Sequence, residues 1–403
     1  MSYNGWKEVK LGDISKIRGG KRLPKGVNLL KEKNSHPYIR VRDLGNKNLC
    51  LNGNFEYVDN ETQEKISRYI VNTGDIVISI VGTIGLISKI DKSLNTANLT
   101  ENCVKLVDLI NVNSDYLYYY LLSEKGQYEI QKGTVGAVQA KLPIKNIQAI
   151  NVILPSMEEQ KAIATTLSCL DDKIEINNRI NKNLEEMAQA IFKSWFVDFE
   201  PFQDGEFEDS ELGRIPKGWR VGPLEECIEL FDSKRIPLST KQRKSMRKIY
   251  PYYGAASLID YVEDFIFDGV YVLLGEDGTV VDGKGFPILQ YVWGKFWVNN
   301  HAHVLKGKRG FNEASLYILL KNTSVQGLVT GAVQPKISQA NLKSLKVLIP
   351  THEKLSEYNN LVASIFAEKM RGYEENQTLA SIRDTLLPKL MSGEIRVPIE
   401  EVQ

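Results

Sequence analysis

The chain has 403 residues, of which 42% are hydrophobic and 25% charged, and this composition is that of a soluble globular protein with two or three domains. It contains no apolar run near the roughly 18 residues that a membrane span needs, and no signal-peptide core at its N-terminus, so we expect a cytoplasmic protein. The net charge of +1, taken alone, argues against a nucleic-acid-binding protein. The four cysteines are far apart and match neither a metal site nor a disulfide framework.

The neutral total hides an uneven distribution of charge. Lys and Arg exceed Asp and Glu by 21 to 15 in residues 1–155 and by 19 to 12 in residues 213–350. Acidic residues dominate by 14 to 5 in residues 156–212 and by 9 to 6 in residues 351–403. Because attraction to phosphate depends on local charge, two basic segments in a neutral chain are compatible with nucleic-acid binding.

The first basic segment predicts short strands mixed with helices. Residues 75–81 form an apolar run between two glycines, which is typical of a buried strand, and residues 114–123 predict a helix whose tyrosines pack in a core. After Pro155 the apolar residues follow a helical period. Ser156 is a good N-cap for this helix, and Glu159 completes a capping box.

Residues 197–217 are acidic, contain Gly and Pro, and predict a connector. The chain then repeats itself. Gly-Ala-Val-Gln-Ala-Lys-Leu at 136–142 recurs as Gly-Ala-Val-Gln-Pro-Lys-Ile at 331–337, and this offset of 195 residues continues without a gap to Pro155 and Pro350. The strand and the helix of the first copy recur at residues 270–274 and 313–321. The chain is therefore an internal repeat.

Each copy is followed by a helical pattern of about 40 residues, or roughly 60 Å at 1.5 Å per residue. Such a long, narrow apolar stripe needs a partner helix. We expect the two helices to form an antiparallel coiled coil that holds the copies at opposite ends of a rod; the alternative, in which each helix binds a different external subunit, stays open. The stripe residues are Leu167, Leu170, Ile174, Leu184 and Ile191 in the first helix, and Val362, Ile365, Leu379, Ile382 and Leu386 in the second.

These patterns predict an α+β fold with pseudo-two-fold symmetry. Two mixed α/β domains in tandem repeat occupy residues 1–155 and 213–350. The first long helix with its connector occupies residues 156–212, and the second helix with the C-terminal tail occupies residues 351–403.

Patterns for catalysis and metal binding are weak. The segment 278–285 has Gly285 where a phosphate-binding loop needs Ser or Thr after Lys284, and Phe286-Pro287 follows instead of a helix, so we interpret it as a turn. His301 and His303 lack a third ligand and fit a structural or DNA-facing role better than a metal site. The sequence therefore predicts no catalytic residue and no metal ligand. Nucleotide hydrolysis at Lys284 is retained as an alternative class of function.

Cationic side chains recur at matching places in both copies, in loop-like sequence ahead of an aromatic segment. Arg and Lys contact phosphates, and Arg also reads guanine edges; a solvated charged face is the competing interpretation. The candidate DNA-contacting residues are Arg18, Lys21, Arg22, Lys25, Arg40, Arg42, Gln139 and Lys141 in the first copy, and Lys234, Arg235, Lys241, Arg243, Lys244, Arg247, Lys248, Gln334 and Lys336 in the second.

As a set, these motifs resemble the specificity subunit of type I restriction–modification enzymes, over nearly the whole chain. The resemblance rests on the Gly-Trp opening of each half, the Pro-Tyr-Ile-Arg segment 37–40, the strand that begins at Gly74-Asp75, the loop and helix start from 133 to 160, and the helix ends at 191–199 and 386–395.

The resemblance implies two target-recognition domains, each reading one half of a split DNA sequence, with paired helices that fix the gap. It implies double-stranded DNA and two methyltransferase subunits as partners, with two restriction subunits as optional further partners. S-adenosylmethionine, ATP and Mg²⁺ would then bind in those subunits, and this chain would be a non-catalytic part of an adenine methyltransferase and ATP-dependent endonuclease. Because residues 21–101 and 236–301 diverge between the copies, no base-reading residue can be assigned. A protein-interaction scaffold that does not bind DNA is the alternative.

Overall fold

The computed structural model describes residues 5–51, 54–136, 138–331 and 333–398. The chain divides into two compact units, the first made of Met1–Ile176 with Glu375–Gln403 and the second of Asn177–Glu374. Each unit therefore contains one copy of the repeat and parts of both long helices. Among the helices of the described residues, none is long and apolar enough to cross a membrane.

The first copy is built of short strands and five helices in its described part. The strands are β1 (Lys7–Lys10), β2 (Lys16–Gly19), β3 (Pro37–Ile39), β4 (Asn48–Leu49), β5 (Glu56–Tyr57), β6 (Ile76–Ser79), β7 (Ile87–Ile90), β8 (Asn98–Leu99), β9 (Cys103–Val107) and β10 (Asn151–Leu154). The helices are α1 (Leu11–Ile14), α2 (Asn60–Ile66), α3 (Ser114–Leu122), α4 (Glu124–Gly133) and α5 (Ile144–Gln148). The main sheet has the order β2-β9-β6-β7-β4, a smaller one the order β5-β3-β8, and β1 pairs with β10.

The second copy follows the long helix α6 (Met157–Phe196) and precedes the long helix α10 (His352–Ser392). Its strands are β11 (Phe207–Ser210), β12 (Gly213–Pro216), β13 (Arg220–Pro223), β14 (Ile228–Leu230), β15 (Tyr250–Tyr253), β16 (Leu258–Val262), β17 (Phe267–Asp268), β18 (Tyr271–Gly275), β19 (Leu289–Val292), β20 (Lys295–Val298), β21 (Ala302–Gly307) and β22 (Lys346–Ile349). Its helices are α7 (Thr240–Ser245), α8 (Glu313–Lys321) and α9 (Gln339–Ser344). The main sheets have the orders β14-β21-β18-β19 and β16-β15-β20-β17.

The helix α3 forms the centre of the core in the first unit, as predicted. Asn113 caps its N-terminus by accepting hydrogen bonds from two backbone amides. Tyr116, Tyr119 and Tyr120 are buried, and the hydroxyl of Tyr116 donates to the carbonyl of Ile153 at 2.6 Å. These tyrosines therefore serve packing, and their polar ends are satisfied inside the core. The helix α8 is buried in the same way in the second unit.

The two long helices have the predicted length, at 40 and 41 residues. The Ser156 hydroxyl accepts a hydrogen bond from the Glu159 amide at 3.2 Å and so caps α6. The capping-box prediction for Glu159 was wrong, because its carboxylate accepts a hydrogen bond from Trp6 Nε1 and pairs with Arg396 instead. This contact, which joins the start of α6 to residues distant in sequence, could not be read from a local motif.

In the first unit, the N-terminal part of α6 packs against the C-terminal part of α10. Asp171 pairs with Arg383 at 2.6 Å, and Glu159 pairs with Arg396, which follows the end of α10. Residue numbers rise along one helix as they fall along the other. The helices are therefore antiparallel here, as predicted.

The second unit contains the other half of each helix, again in antiparallel contact. Glu185 pairs with Lys369, and the rings of Phe196 and Tyr358 lie 4.8 Å apart between centroids. Asn181 is buried beside Gly372, and neither polar atom of its side chain has a hydrogen-bond partner among the described residues. A polar residue that interrupts the apolar stripe is thus located in the helix contact itself.

Two sequence interpretations need correction. Ile382 was assigned to the buried stripe but is 42% exposed, and its counterpart at the offset of 195, Met187, is 53% exposed. The neighbouring Arg383 makes the contact with α6 instead, through Asp171. The connector 197–217 contains the hairpin formed by β11 and β12, which its acidic composition did not suggest.

Candidate nucleic-acid interface

The basic loop of the first copy, residues 18–25, begins at the end of β2. The amide of Gly20 donates to the carbonyl of Cys103 at 3.0 Å, and the amide of Lys21 donates to that of Leu99 at 2.8 Å. A Cβ atom at Gly20 would lie 2.0 Å from the carbonyl oxygen of Thr100, so only glycine permits this approach. The start of the loop is therefore held against the beginning of β9.

The cations of this loop differ in what they contact. Arg22 pairs with Glu101 at 2.8 Å, and Arg18 lies 3.8 Å from Asp108. Lys21 is exposed and sits over the ring of Tyr69, and Lys25 is exposed. Lys21 and Lys25 thus extend into solvent with no carboxylate contact among the described residues.

Arg40 and Arg42 were also predicted to contact DNA. Both pair with the carboxylate of Glu56, and Arg42 lies 3.6 Å from Asp43 as well. Arg40 is half-buried, whereas the side chain of Arg42 is about half exposed. Their charges are largely balanced inside the unit, which weakens their attraction for an external phosphate.

The repeated loop of the first copy is closed by two backbone hydrogen bonds between Val135 and Lys141, at 2.8 and 2.9 Å. The next residue, Leu142, donates its amide to the carbonyl of Ile80, directly after β6. Since β6 and β2 are both antiparallel to β9, their C-terminal ends lie at the same end of the sheet. The basic loop and the repeated loop therefore leave the sheet together.

The second copy builds the same arrangement. Its basic segment follows β14, where the amide of Phe231 donates to the carbonyl of Val304 at 2.8 Å. Its repeated loop is closed by Thr330 and Lys336, and the amide of Ile337 donates to the carbonyl of Glu276 directly after β18. Because β14 and β18 both pair antiparallel with β21, these two loops also share one end of their sheet. The structure thus brings together segments that the sequence predicted separately.

Arg235 joins the two loops of the second unit from the inside. Its guanidinium contacts the Glu276 carboxylate and the Ala302 carbonyl, each at 2.6 Å, and its side chain is only 11% exposed. Lys336 pairs with the same Glu276 at 3.2 Å. Arg235 therefore holds the two loops together from inside the unit. The prediction that its side chain lies at the surface was wrong.

His303 lies at the centre of a buried polar cluster behind these loops. Its Nδ1 contacts the carboxylate of Asp232 at 2.6 Å and its Nε2 donates to the carbonyl of Ile337 at 2.8 Å. Gln339 also donates to Asp232 at 2.6 Å. Both ring nitrogens of His303 are therefore engaged, one by a carboxylate and the other by a backbone carbonyl.

Asp232, Glu276 and His303 are close enough together to suggest a metal site. However, the Nε2 atom of His303 is used by a backbone carbonyl, and Glu276 is already paired with two cations, Arg235 and Lys336. Burial raises the pKa of the Asp232 carboxyl, but the hydrogen bond and charge of His303 outweigh burial, so this pKa lies below its usual value. The cluster is consistent with the structural role predicted for this histidine.

The remaining cations of the second unit lie on and around α7. Arg243 stacks on Tyr252 and pairs with Asp260 at 3.2 Å, and Lys248 pairs with Asp260 at 2.8 Å. These contacts, led by the hydrogen bond from Lys248, lower the pKa of Asp260 to about 2. The side chains that extend into solvent are those of Lys234, Lys241, Lys244 and Arg247.

Apolar side chains accompany these cations on the surface. Ile236 precedes α7, Ile249 precedes β15, and Leu258, Ile259 and Tyr261 belong to β16; all are exposed. Exposed apolar groups beside cations suit an interface in which thymine methyl groups are contacted. Sequence reasoning missed them because strand residues of this type are usually buried.

The segment around Lys284 forms a turn, as predicted. The Asp282 carboxylate accepts hydrogen bonds from the amides of Lys284 and Phe286, at 2.8 and 3.0 Å. No described helix begins at Gly285, so aligned backbone amides do not converge on a phosphate position here.

A family model described as the type I restriction modification DNA specificity domain matches residues 3–186 and 216–367. The chain is 27% identical to the type I restriction enzyme MjaIX specificity subunit of Methanocaldococcus jannaschii, over 97% of this chain and 94% of that protein. It is 24% identical to the type I restriction enzyme HindI specificity subunit of Haemophilus influenzae, over 97% and 99% of the two chains. The crystal structure of a type I restriction–modification S subunit from M. genitalium has a TM-score of 0.59 at 16% identity, with 97% of each chain covered, which shows a shared fold.

Each matched segment spans nearly all of one copy of the repeat and part of the long helix that follows it, and the two together include well over half of the chain. The curated relatives match along nearly their whole length. The chain therefore belongs to the type I restriction modification DNA specificity domain family.

Proposed function

We propose that this chain is the DNA-recognition subunit of a type I restriction–modification complex, and that each copy of the repeat binds one half of a bipartite duplex site. The observation that carries the proposal is that two loops lie at the same end of the main sheet. In each unit, a basic loop and the repeated loop leave the same end of the main sheet. A cationic surface built twice in one chain suits a ligand that carries phosphates at two places.

Within each copy, the exposed cations position the duplex and the divergent segments read it. Lys21 and Lys25 of the first unit, and Lys241, Lys244 and Arg247 of the second, are exposed and serve as phosphate contacts. The exposed apolar residues of β16 belong to the segment that differs between the copies, and they contact base edges. Because the two DNA-binding copies are linked, binding of one raises the effective concentration of the other at its half-site, and the chain binds more tightly than either copy would alone.

The antiparallel helices set the gap between the half-sites and dock two methyltransferase subunits. Support comes from apolar side chains that remain exposed on the helices within each unit. In the first unit these are Ile176 and Ile382, and in the second they are Ile180, Met187, Leu361 and Tyr373. Because exposed apolar groups on a helix favour association with another protein, they are candidate docking positions.

The chain itself supplies no catalytic group in this proposal. S-adenosylmethionine is bound by the methyltransferase subunits, and ATP and Mg²⁺ by restriction subunits where these are present. Methylation of an adenine within each half-site is then performed by the partner subunits on DNA that this chain has selected.

The test is direct binding to DNA. The full chain, with and without a type I methyltransferase subunit that assembles with it, is titrated against labelled random-sequence duplex by fluorescence anisotropy at several salt concentrations. We expect binding that weakens steeply as salt increases. Assembly with the methyltransferase without any binding of duplex would instead identify a protein scaffold.

A further inference from the structure

Both copies of the repeated loop present a bare valine to solvent. Val138 and Val333 are fully exposed, with 103% and 100% of the solvent-accessible surface of a valine in an extended chain. The next residues, Gln139 and Gln334, are exposed as well. An apolar side chain placed in this way contributes nothing to its own core.

The loops are tightly built. Each closes through a backbone pair, Val135 with Lys141 and Thr330 with Lys336. Gly136 and Gly331 have φ angles of 96° and 87°, and a Cβ atom there would lie 2.7 and 2.4 Å from the carbonyl oxygen of the glutamine three residues later. These turns therefore require glycine, and they hold the valine outward.

The loop tip Gly-Ala-Val-Gln recurs in both copies, whereas the segments at residues 21–101 and 236–301 differ. If both copies use the same Val-Gln tip to bind a ligand, that ligand must present the same groups to each copy. Half-sites of different sequence differ in the major groove, where each base pair has its own pattern of donors and acceptors. They are much more alike in the minor groove, where A·T and T·A present the same acceptors.

We propose that the Val138–Gln139 and Val333–Gln334 tips enter the DNA minor groove, one in each half-site. This inference rests on the proposed function, and it specifies which groove of the DNA is contacted and which residues contact it. The valine packs against the sugar walls and base edges of the groove. The glutamine amide donates to the acceptors that adenine N3 and thymine O2 present there.

The position of the loops favours DNA over a protein partner. In each unit the tip leaves the sheet end from which the basic loop also leaves. Each loop also ends at an exposed lysine, Lys141 or Lys336. A duplex held by the exposed cations of the basic loop therefore lies within reach of the valine.

The experiment uses the full chain assembled with its methyltransferase, and a duplex that contains its site as located by mapping methylated adenines. Val138→Ala, Val333→Ala and the double variant are compared with Val197→Ala, a control at an exposed valine outside both loops. We expect roughly tenfold weaker binding for each loop variant, from the loss of two methyl groups' contact, an additive loss in the double variant, and no change for Val197→Ala. Thermal unfolding should be unchanged, since both tips are fully exposed.

A second arm identifies the groove. Replacing adenine by 2,6-diaminopurine adds an amino group in the minor groove and leaves the major-groove pattern of adenine intact. The wild-type complex should bind this duplex at least tenfold more weakly than the normal one, and a complex carrying Val138→Ala, Gln139→Ala, Val333→Ala and Gln334→Ala should lose most of that discrimination.

Three results would overturn the inference while the proposed function stands. One is wild-type affinity for DNA in the double valine variant. Another is loss of the methyltransferase from the assembled complex while the free chain binds DNA normally, which would make the tips a protein-docking site. The third is equal discrimination against diaminopurine with and without the tips. A wild-type complex that binds no duplex would overturn the proposed function itself.

Discussion

Asp171 of α6 and Arg383 of α10 form an ion pair at 2.6 Å within the first unit, and the same Asp171 accepts a hydrogen bond from the hydroxyl of Tyr119. Burial lowers the pKa of Arg383, but its hydrogen bonds to Asp171 and Asp384 outweigh burial and raise it. Three elements, α3, α6 and α10, therefore meet at one carboxylate. This contact ties the helix pair to the core of the first unit.

Replacing Arg383 by Met should destabilise the protein, because Asp171 is left as a mostly buried charge without its cation. We expect a loss of about 1–3 kcal/mol in the free energy of unfolding, which is less than for a fully buried pair since Arg383 is partly exposed. Arg371→Met is the matched control, because the exposed Arg371 pairs with Glu368 on the same helix and with no other carboxylate among the described residues. It should cost less than about 0.5 kcal/mol. Equal losses in urea titrations of the two variants would contradict a structural role for the Asp171 pair.

Acid should weaken the second unit through Asp232. Its folded-state pKa lies below the unfolded value near 3.8, so the carboxylate contributes stability above that pH and loses it as pH falls through the folded value. Wild type should exceed Asp232→Asn in stability by about 1–3 kcal/mol between pH 5 and 7. This difference should shrink below about pH 4. Thermal unfolding of wild type and Asp232→Asn, measured from below pH 4 up to pH 7, tests this expectation. A stability difference between the two proteins that grows as the pH falls would contradict a lowered pKa of Asp232.

The exposed and the buried cations of the second unit should behave differently. Lys241→Ala with Lys244→Ala and Arg247→Ala should weaken binding to every duplex and reduce the salt slope by about three phosphate contacts, with little change in thermal stability. Arg235→Ala should mainly lower thermal stability, because it removes the buried guanidinium that donates to the Ala302 carbonyl and leaves Glu276 with only Lys336 of its two paired cations. Salt-dependent anisotropy and calorimetry separate the two effects. A triple variant with the wild-type salt slope would remove α7 from the interface.

Asn181 is expected to weaken the helix pair in the second unit while defining its register. Its two unsatisfied polar atoms lie beside Gly372, where a polar residue inside an apolar stripe costs stability. Asn181→Leu should raise the free energy of unfolding by about 1–2 kcal/mol. Chemical denaturation measures this, with Asn183→Leu at an exposed position of the same helix as the control. A destabilised Asn181→Leu protein would mean that the amide has a partner that the apolar side chain cannot replace.

Much of the fold could be predicted because its signals are local. The close recurrence of the loop at 136–142 and 331–337 identified the repeat, and the helical spacing after Pro155 and Pro350 identified both long helices. The burial of the tyrosines in α3 followed from the apolar residues around them. Ile382 was misplaced because a stripe extrapolated over many turns drifts around the helix, which has 3.6 residues per turn.

The interface was predicted only in pieces. The basic loops and the repeated loops were separate candidates, and only strand pairing shows that they share a sheet end. Arg235 and Arg243 looked like surface cations because their carboxylate partners, Glu276 and Asp260, are distant in sequence. The same holds for His303, which lies 71 residues from Asp232. Charge can be counted in a sequence, but its compensation depends on the tertiary structure.

The most direct measurement is a genome-wide map of methylated adenines in cells carrying the chain and its methyltransferase, first with wild type and then with four residues inserted in both α6 and α10. The wild type should methylate one bipartite sequence with a fixed gap. The insertion lengthens each helix by about 6 Å, so the gap should grow by one or two base pairs while both half-sites keep their sequence. An unchanged gap, or half-sites that change together with it, would contradict recognition by two modules whose spacing the helices set.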